Sequence, residues 1–500
     1  MNRPILLKIW LAFAFLILIK PVIGQTIPVS GTWVNLPYQD VRNKYMNPIY
    51  VDFTSPEFWK TKINEQADLG MKYIVIMAVA NEQKSFYPSD FMEPAYDKSK
   101  ESPVETILGT AAKRGVKVFL SCGWAVDQDD NLKDPKIRGL QLKIMEELGK
   151  KFANHEAFYG WYLPVEDSME PFLSDHAVEA VNDLTKRARG FTPGKKIMVS
   201  PYGICHANLD DPKFGEQINK LTVDIIAYQD EIGCVREPQP LPRMKDNFAK
   251  LKKIHNNNKI AFWANVESFT WEKGDNSRES ALIPASFARY LSQMAGVSQA
   301  GVSEVISFST YGMYDKPNSE YPIGQPVYAN QVYQDFMDWQ NGDLKWKLLE
   351  KTFFNSVKSD KISRIYDAKK KDLKKLYDSK LAKESDVDPN WQVISSQNPI
   401  LFGELSKQSS LNNLMIRAFN YGPKKIALPK AVHLYLSTNN TDFKRVSSIA
   451  IDQFTNNRFD AWLDIALLEF AATDAKYFKI EFDLLEGTQL YVDEVFVNAK

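Results

Sequence analysis

Phe158-Tyr159-Gly160-Trp161-Tyr162-Leu163-Pro164-Val165-Glu166 is aromatic or aliphatic on both faces and ends in an acid. So short an apolar run reads as a parallel strand covered by helices, not as a hairpin strand with one wet face. Seven more stretches share its texture: Gly31–Leu36, Tyr73–Ala80, Lys117–Trp124, Lys196–Tyr202, Asp224–Gln229, Lys259–Glu267 and Glu304–Tyr311. Helical patterns lie between them. Ser55-Pro56 opens one that closes at Gly70, and Ser102-Pro103-Val104-Glu105 opens another that closes at Gly115. In both, a capping serine precedes a proline at the first helical position, where a missing N–H costs nothing. Asp134-Pro135 starts a third, with Leu140, Ile144 and Leu148 on one face. Further patterns run over Ala177–Arg189, Lys213–Leu221, Met244–His255, Ala285–Ala295 and Gln331–Trp339.

Eight strand–helix units in about 310 residues predict a (β/α)8 TIM barrel over residues 28–344. An open doubly wound sheet is the competing fold. It usually carries a glycine-rich phosphate turn after its first strand, and Pro37-Tyr38-Gln39-Asp40 stands there instead. Residues 345–390 are rich in charge, with Tyr366, Leu373 and Tyr377 on one stripe, and read as an amphipathic helical linker. From 391 to 500 short alternating runs and turns, such as His433–Thr438 before Asn439-Asn440-Thr441-Asp442, predict a C-terminal antiparallel β-sandwich.

Residues 1–24 look like an address. Arg3 and Lys8 precede an apolar run from Ile9 to Ile19, followed by Lys20, Pro21 and Gly24, the pattern of a secretory signal. A retained anchor is the other reading, although the run is short of the roughly 20 residues a span needs. The protein is therefore expected to be exported, to the periplasm or the cell surface, with no transmembrane segment once the signal is removed. Lys plus Arg equals Asp plus Glu at 62 each, so no global field recruits nucleic acid. Aromatics make up 12% of the 500 residues, a rich share that suits a largely neutral ligand. Three cysteines, Cys122, Cys205 and Cys234, exclude a disulfide scaffold, leaving either buried thiols or one Cys205–Cys234 bridge. Neither metal-ligand spacing nor a cofactor motif is present; Asp127, Asp129 and Asp130 lack the remainder of a calcium loop.

In TIM barrels chemistry sits at the C-terminal strand ends. The candidate ends carry Trp33 and Asn35; Trp124; Glu166; Tyr202 and His206; Tyr228, Gln229, Asp230 and Glu231; Trp263, Asn265 and Glu267, with Trp271 beyond; and Tyr311. Indole and phenol faces stack on sugar rings, while carboxylates and amides bind hydroxyls, so a carbohydrate is the expected partner. Glycoside hydrolysis needs two acids flanking one bond. Glu166 and Glu267 end strands four and seven, which face each other across a barrel mouth, and Trp263, Asn265 and Glu267 share one strand face. Asp230 is the alternative base for an inverting reaction. A non-catalytic glycan-binding barrel is the alternative to an enzyme.

This layout resembles the superfamily of (β/α)8 retaining glycosidases, which implies Glu166 as acid/base, Glu267 as nucleophile and Tyr228 as the tyrosine touching the nucleophile. The Asn that usually precedes the acid/base is Val165 here. The chain resembles more closely an exported bacterial family known only as domain of unknown function 4434. The likeness rests on Tyr159-Gly160-Trp161-Tyr162 followed by Glu166, on Ser200-Pro201-Tyr202, and on Gln229-Asp230 followed by Gly233. It implies a glycoside-hydrolase-like barrel from a glycan-degrading bacterium. The C-terminal stretch resembles discoidin-like, galactose-binding jelly rolls, as a sugar-binding module or a structural shield.

Overall fold

The computed structural model describes residues 26–36, 54–123, 134–233, 239–271, 282–324, 326–342, 357–383, 385–395, 398–450 and 461–499. All eight anticipated strands form, each shorter than the apolar run that announced it: β1 Gly31–Val34, β2 Tyr73–Ile76, β3 Lys117–Ser121, β4 Phe158–Tyr162, β5 Lys196–Val199, β6 Ile225–Gln229, β7 Ala261–Glu267 and β8 Glu304–Phe308. They pair in parallel with their sequence neighbours, and β8 closes on β1, giving one barrel. Residues that leave the ladder at the C-terminal ends, such as Leu163 to Glu166, become the rim.

Among the described residues, eight helices cover the barrel: α1 Pro56–Asp68, α2 Pro103–Lys113, α3 Pro135–Phe152, α4 Asp175–Phe191, α5 Pro212–Lys220, α6 Leu241–His255, α7 Phe287–Ala300 and α8 Pro326–Asn341. Ser102 and Glu105 make the reciprocal capping box, and Ser55 and Asp134 cap their helices as the sequence leads one to expect. No helix among the described residues is long and apolar enough to cross a membrane.

The barrel has two apolar layers. Outside, residues such as Val118, Leu120, Trp161 and Ile226 meet the helices. Inside, Tyr73, Phe119, Tyr159 and Trp263 crowd the N-terminal end, with the Lys117 ammonium 4.7 Å from the Tyr159 ring centre. Gly160 is required here, because a Cβ at that position would lie 2.3 Å from the Lys196 carbonyl oxygen. This aromatic plug closes the bottom, so a ligand reaches the interior from the C-terminal mouth.

The C-terminal unit is a sandwich built on two long bent strands, Ile400–Tyr421 and Ala461–Asp483. Register shifts between Glu404 and Asn413 mark the bend. The first half of Ile400–Tyr421 pairs with Ile362–Asp367, and the second half with Leu490–Val497. Side chains from both halves, including Leu401, Ile416, Leu434, Phe478 and Val492, share one core. The helical linker is a correction. Residues 343–356 lie outside the described set, and the rest of 345–390 holds the strand Ile362–Asp367 and a single 3-10 turn, Lys374–Leu376. Pairing to the sandwich outweighs helix propensity: Ile362, Ile365, Leu373 and Leu376 enter its core, and Tyr366 stacks on Phe402. The lysine run is a tight turn, in which the Asp367 carboxylate accepts the amides of Lys369 and Lys371. The sandwich also touches the barrel, where the strand Ala461–Asp483 packs on α7.

Candidate active site

Alternation along each barrel strand decides which side chains reach the mouth. On β7, Trp263, Asn265 and Glu267 point inward in ascending order. Asn265 accepts the Trp33 indole N–H at 3.2 Å and donates to Ser200 Oγ at 3.1 Å. Trp33 meets Tyr162 edge-on, with centroids 4.4 Å apart, and the Tyr162 hydroxyl donates to Glu166 Oε1 at 3.0 Å. One connected series of contacts thus runs from Glu166 through Tyr162 and Trp33 to Asn265, directly beneath Glu267. The two sequence-selected acids crown a single interior.

Their surroundings differ. Glu166 is exposed to solvent. Tyr162, which holds it, is buried, and burial first, then the nearby Glu166 charge, pushes the phenol well above its usual range, so it remains a donor. Glu267 is 6% exposed, and its Oε2 has no hydrogen-bond partner among the described residues. Burial, followed by the charges of Asp230 and Glu231, drives its carboxyl well above the ordinary carboxylate range; Arg289 and the Gly233 amide pull the other way. Gly233 has to be a glycine for that approach, since a Cβ would lie 2.3 Å from the Phe269 carbonyl oxygen.

Several anticipated ligand contacts are spent on structure instead. Tyr228 points outward, and its hydroxyl meets His255 Nε2 at 2.9 Å between barrel and α6. Parity explains this: Ile225 and Ala227 occupy the inner face of β6, so the residue after Ala227 faces the helices. Trp263 lies in the bottom plug with Tyr73, far down its strand from Glu267. Tyr311 stacks on Trp59 of α1, 5.9 Å between centroids. Trp33 is 2% exposed and serves as a floor, with no open ring face for a sugar.

The acids after β6 are also engaged. Asp230 Oδ1 accepts the Glu267 amide at 3.0 Å, and Oδ2 accepts Gln293 Nε2 at 2.6 Å. Its carboxyl is raised to about 6 by burial, partly offset by these hydrogen bonds. Glu231 adopts a left-handed backbone conformation, with φ of 53°, and accepts the amides of Gly203 at 2.6 Å and Cys205 at 3.1 Å. It fastens the loop after β5 to the end of β6.

Of the remaining candidates, Asn35 is buried just above Trp33, whereas Tyr202, His206 and Gln229 are half-buried around the mouth. Gln229 donates to the Ser200 carbonyl at 3.0 Å, which makes Ser200 of the Ser-Pro-Tyr run a hub for two inward amides. Trp271 closes the strand Phe269–Trp271, paired with Leu282–Pro284 above β7, and its side chain lies outside the described residues. So do Trp124, Cys234 and Asp127 to Asp130, so the proposed bridge and the acidic loop are not described. Among the described residues no group of three or more His, Cys, Asp or Glu could hold a metal ion.

Arg289 and Gln293 are neighbours of the candidate acids that motif reading passes over, and Tyr162 lies in a quoted motif without being selected as a site residue. Arg289 and Gln293 stand four apart on the largely apolar Phe287–Ala300, and such a polar pair on a buried helix face is the signal available in the sequence.

No curated protein matches the chain. Among solved structures, a protein described as a "putative alpha-L-fucosidase" from Bacteroides thetaiotaomicron aligns at 16% identity with a TM-score of 0.50, covering 64% of this chain and 94% of that one. A glycoside hydrolase family 5 protein from Bacteroides vulgatus aligns at 10% identity and TM-score 0.39, covering 91% and 89%. A glycoside hydrolase 29 family member from a rumen bacterium gives 11% and 0.38, covering 95% and 97%. At 16% identity the likeness to the first of these is one of fold. The family described as Domain of unknown function (DUF4434) matches over residues 29–321, which hold all eight barrel strands from the approach to β1 to the loop after β8, and the protein belongs to that family.

Proposed function

We propose that the protein is a glycoside hydrolase that cleaves an oligo- or polysaccharide through Glu166 and Glu267. The observation that carries this reading is the pairing of two carboxyls, at the ends of β4 and β7, above one interior whose bottom is plugged by aromatics. The fold shared with glycosidases agrees with it. Half-exposed Tyr202, His206 and Gln229 supply phenol, imidazole and amide groups beside the acids for sugar hydroxyls.

The roles implied by resemblance are Glu166 as acid/base and Glu267 as nucleophile. One observation favours the reverse. A carboxyl buried beside two other acids is pushed toward its protonated form and is placed to deliver a proton, whereas the exposed Glu166 carboxyl is open to approach an anomeric carbon. In this reading Glu267 protonates the leaving oxygen while Glu166 attacks the anomeric carbon, forming a glycosyl ester. Glu267, now a carboxylate, takes a proton from the water that attacks the ester, and Glu166 is released with the anomeric configuration retained. Asp230, the alternative base for inversion, has both oxygens engaged, which supports retention.

The N-terminal pattern supports export before action, and N-terminal sequencing of protein recovered from the periplasm or medium tests it. Reducing-end release from a broad glycan panel tests the activity, with wild type compared with Glu166→Gln. Release by wild type alone establishes the hydrolase and reveals its substrate class. Equal release by both removes Glu166 from the mechanism. Silence from both with retained glycan binding makes the barrel a binding protein.

A further inference from the structure

We propose that Asp230 is a positioning residue for Glu267, acting both through the Glu267 peptide and through its own charge. The inference rests on the reading of Glu267 as one of the two reacting acids. It begins with the peptide. The Glu267 amide donates to Asp230 Oδ1 at 3.0 Å. The Glu267 carbonyl accepts Gln293 Nε2 at 3.0 Å and an Arg289 guanidinium nitrogen at 3.2 Å, and that nitrogen also donates to the Phe269 carbonyl at 2.7 Å. Gln293 Nε2 reaches Asp230 Oδ2 as well, at 2.6 Å, which closes the ring of contacts.

Asp230, Arg289 and Gln293 are all fully buried. A residue whose N–H and C=O are both held by buried side chains has little freedom to turn, so its carboxyl is aimed into the mouth before any ligand arrives. A carboxylate is an uncommon choice for such a clamp, because burying it is costly. A neutral Asn side chain could accept the same amide. What the acid adds is charge beside Glu267. Among the described residues, the charged and titratable groups around this pair are Glu231 at the end of β6, and Arg289 and Tyr290 on α7. Of these, Glu231 opposes ionisation of Glu267, Arg289 favours it, and Asp230 is the larger of the two opposing charges. Asp230 thus holds Glu267 in place and adds its charge to burial, the larger cause, in favouring the protonated carboxyl.

The test uses the full chain labelled with ¹³C-carboxyl glutamate, with Glu267→Gln identifying the Glu267 resonance. In Asp230→Asn the titration midpoint of Glu267 falls by about one pH unit or more, since a like charge has been removed while an acceptor for the Glu267 amide is kept and the one for Gln293 is lost. The double variant D230N/Q293E, which returns a carboxylate to the ring, restores much of the shift. Circular dichroism checks the fold; if Asp230→Asn is unstable, Asp230→Ser carries the same expectation. On a turned-over substrate, the alkaline limb of kcat/KM moves to lower pH by the same amount. A Glu267 midpoint unchanged in a folded neutral variant overturns the proposal. If wild type hydrolyses no glycan, the hydrolase reading fails separately, and the titration still decides the role of Asp230.

Discussion

The strand-seven acid and the strand-four acid belong to one mouth and are built in opposite ways. Glu267 is buried, its peptide is clamped on both sides by Asp230, Arg289 and Gln293, and α7 behind it is backed by the C-terminal sandwich. Glu166 stands in solvent on a segment that leaves the ladder at Leu163-Pro164, with the Tyr162 hydroxyl as the tether seen from below. Rigidity and charge are concentrated at one acid, access at the other. Two carboxyls of one residue type therefore need not share one chemistry, because environment separates them.

The comparison breaks first at Glu267. Glu267→Gln is expected to lower kcat by about a thousandfold or more while the protein still folds, read by steady-state kinetics beside a melting curve. Next comes the brace. Arg289→Met strips the buried Glu267 and Phe269 carbonyls of a shared donor, and denaturant unfolding should register a loss of about 2–3 kcal/mol. No change at Glu166 should cost as much, because Glu166 is exposed and water can replace it as the acceptor for the Tyr162 hydroxyl. Removing the tether is milder: Tyr162→Phe keeps the ring against Trp33 and is expected to lower kcat/KM about tenfold, the value of one hydrogen bond to a charged group.

The smallest effect is a slope. Both Asp230 and Glu267 have folded-state values raised by burial, so between the unfolded value and the raised one the native protein binds more protons than the unfolded chain. Their contribution to stability is complete at low pH. It is lost as pH rises through about 6 for Asp230 and through the raised range of the Glu267 carboxyl. Relative to Glu267→Gln, wild type should therefore lose a few degrees of melting temperature between acid and neutral pH.

Much of the barrel was legible because its strands are apolar on both faces and its helices carry Ser-Pro or Asp-Pro starts, both local signals. The linker at 345–390 misled because its Tyr366, Leu373 and Tyr377 spacing fits a helix, while the partner that makes Ile362–Asp367 a strand lies some 40 residues on. At the site, the two acids could be chosen from strand-end position alone. Tyr228 and Trp263 could not be judged that way: one residue of parity sends Tyr228 outward, and depth along the strand puts Trp263 in the plug. Arg289 and Gln293 are remote in sequence from the acid they brace and become visible once α7 is packed on β7.

The division of labour is tested most directly by azide rescue of Glu166→Ala and Glu267→Ala on an activated glycoside of the sugar that the panel identifies. The account predicts that Glu166→Ala with azide yields the glycosyl azide of opposite anomeric configuration, because azide replaces the nucleophile, and that Glu267→Ala with azide yields the retained one. An inverted azide product from Glu267→Ala would make Glu267 the nucleophile and contradict the account.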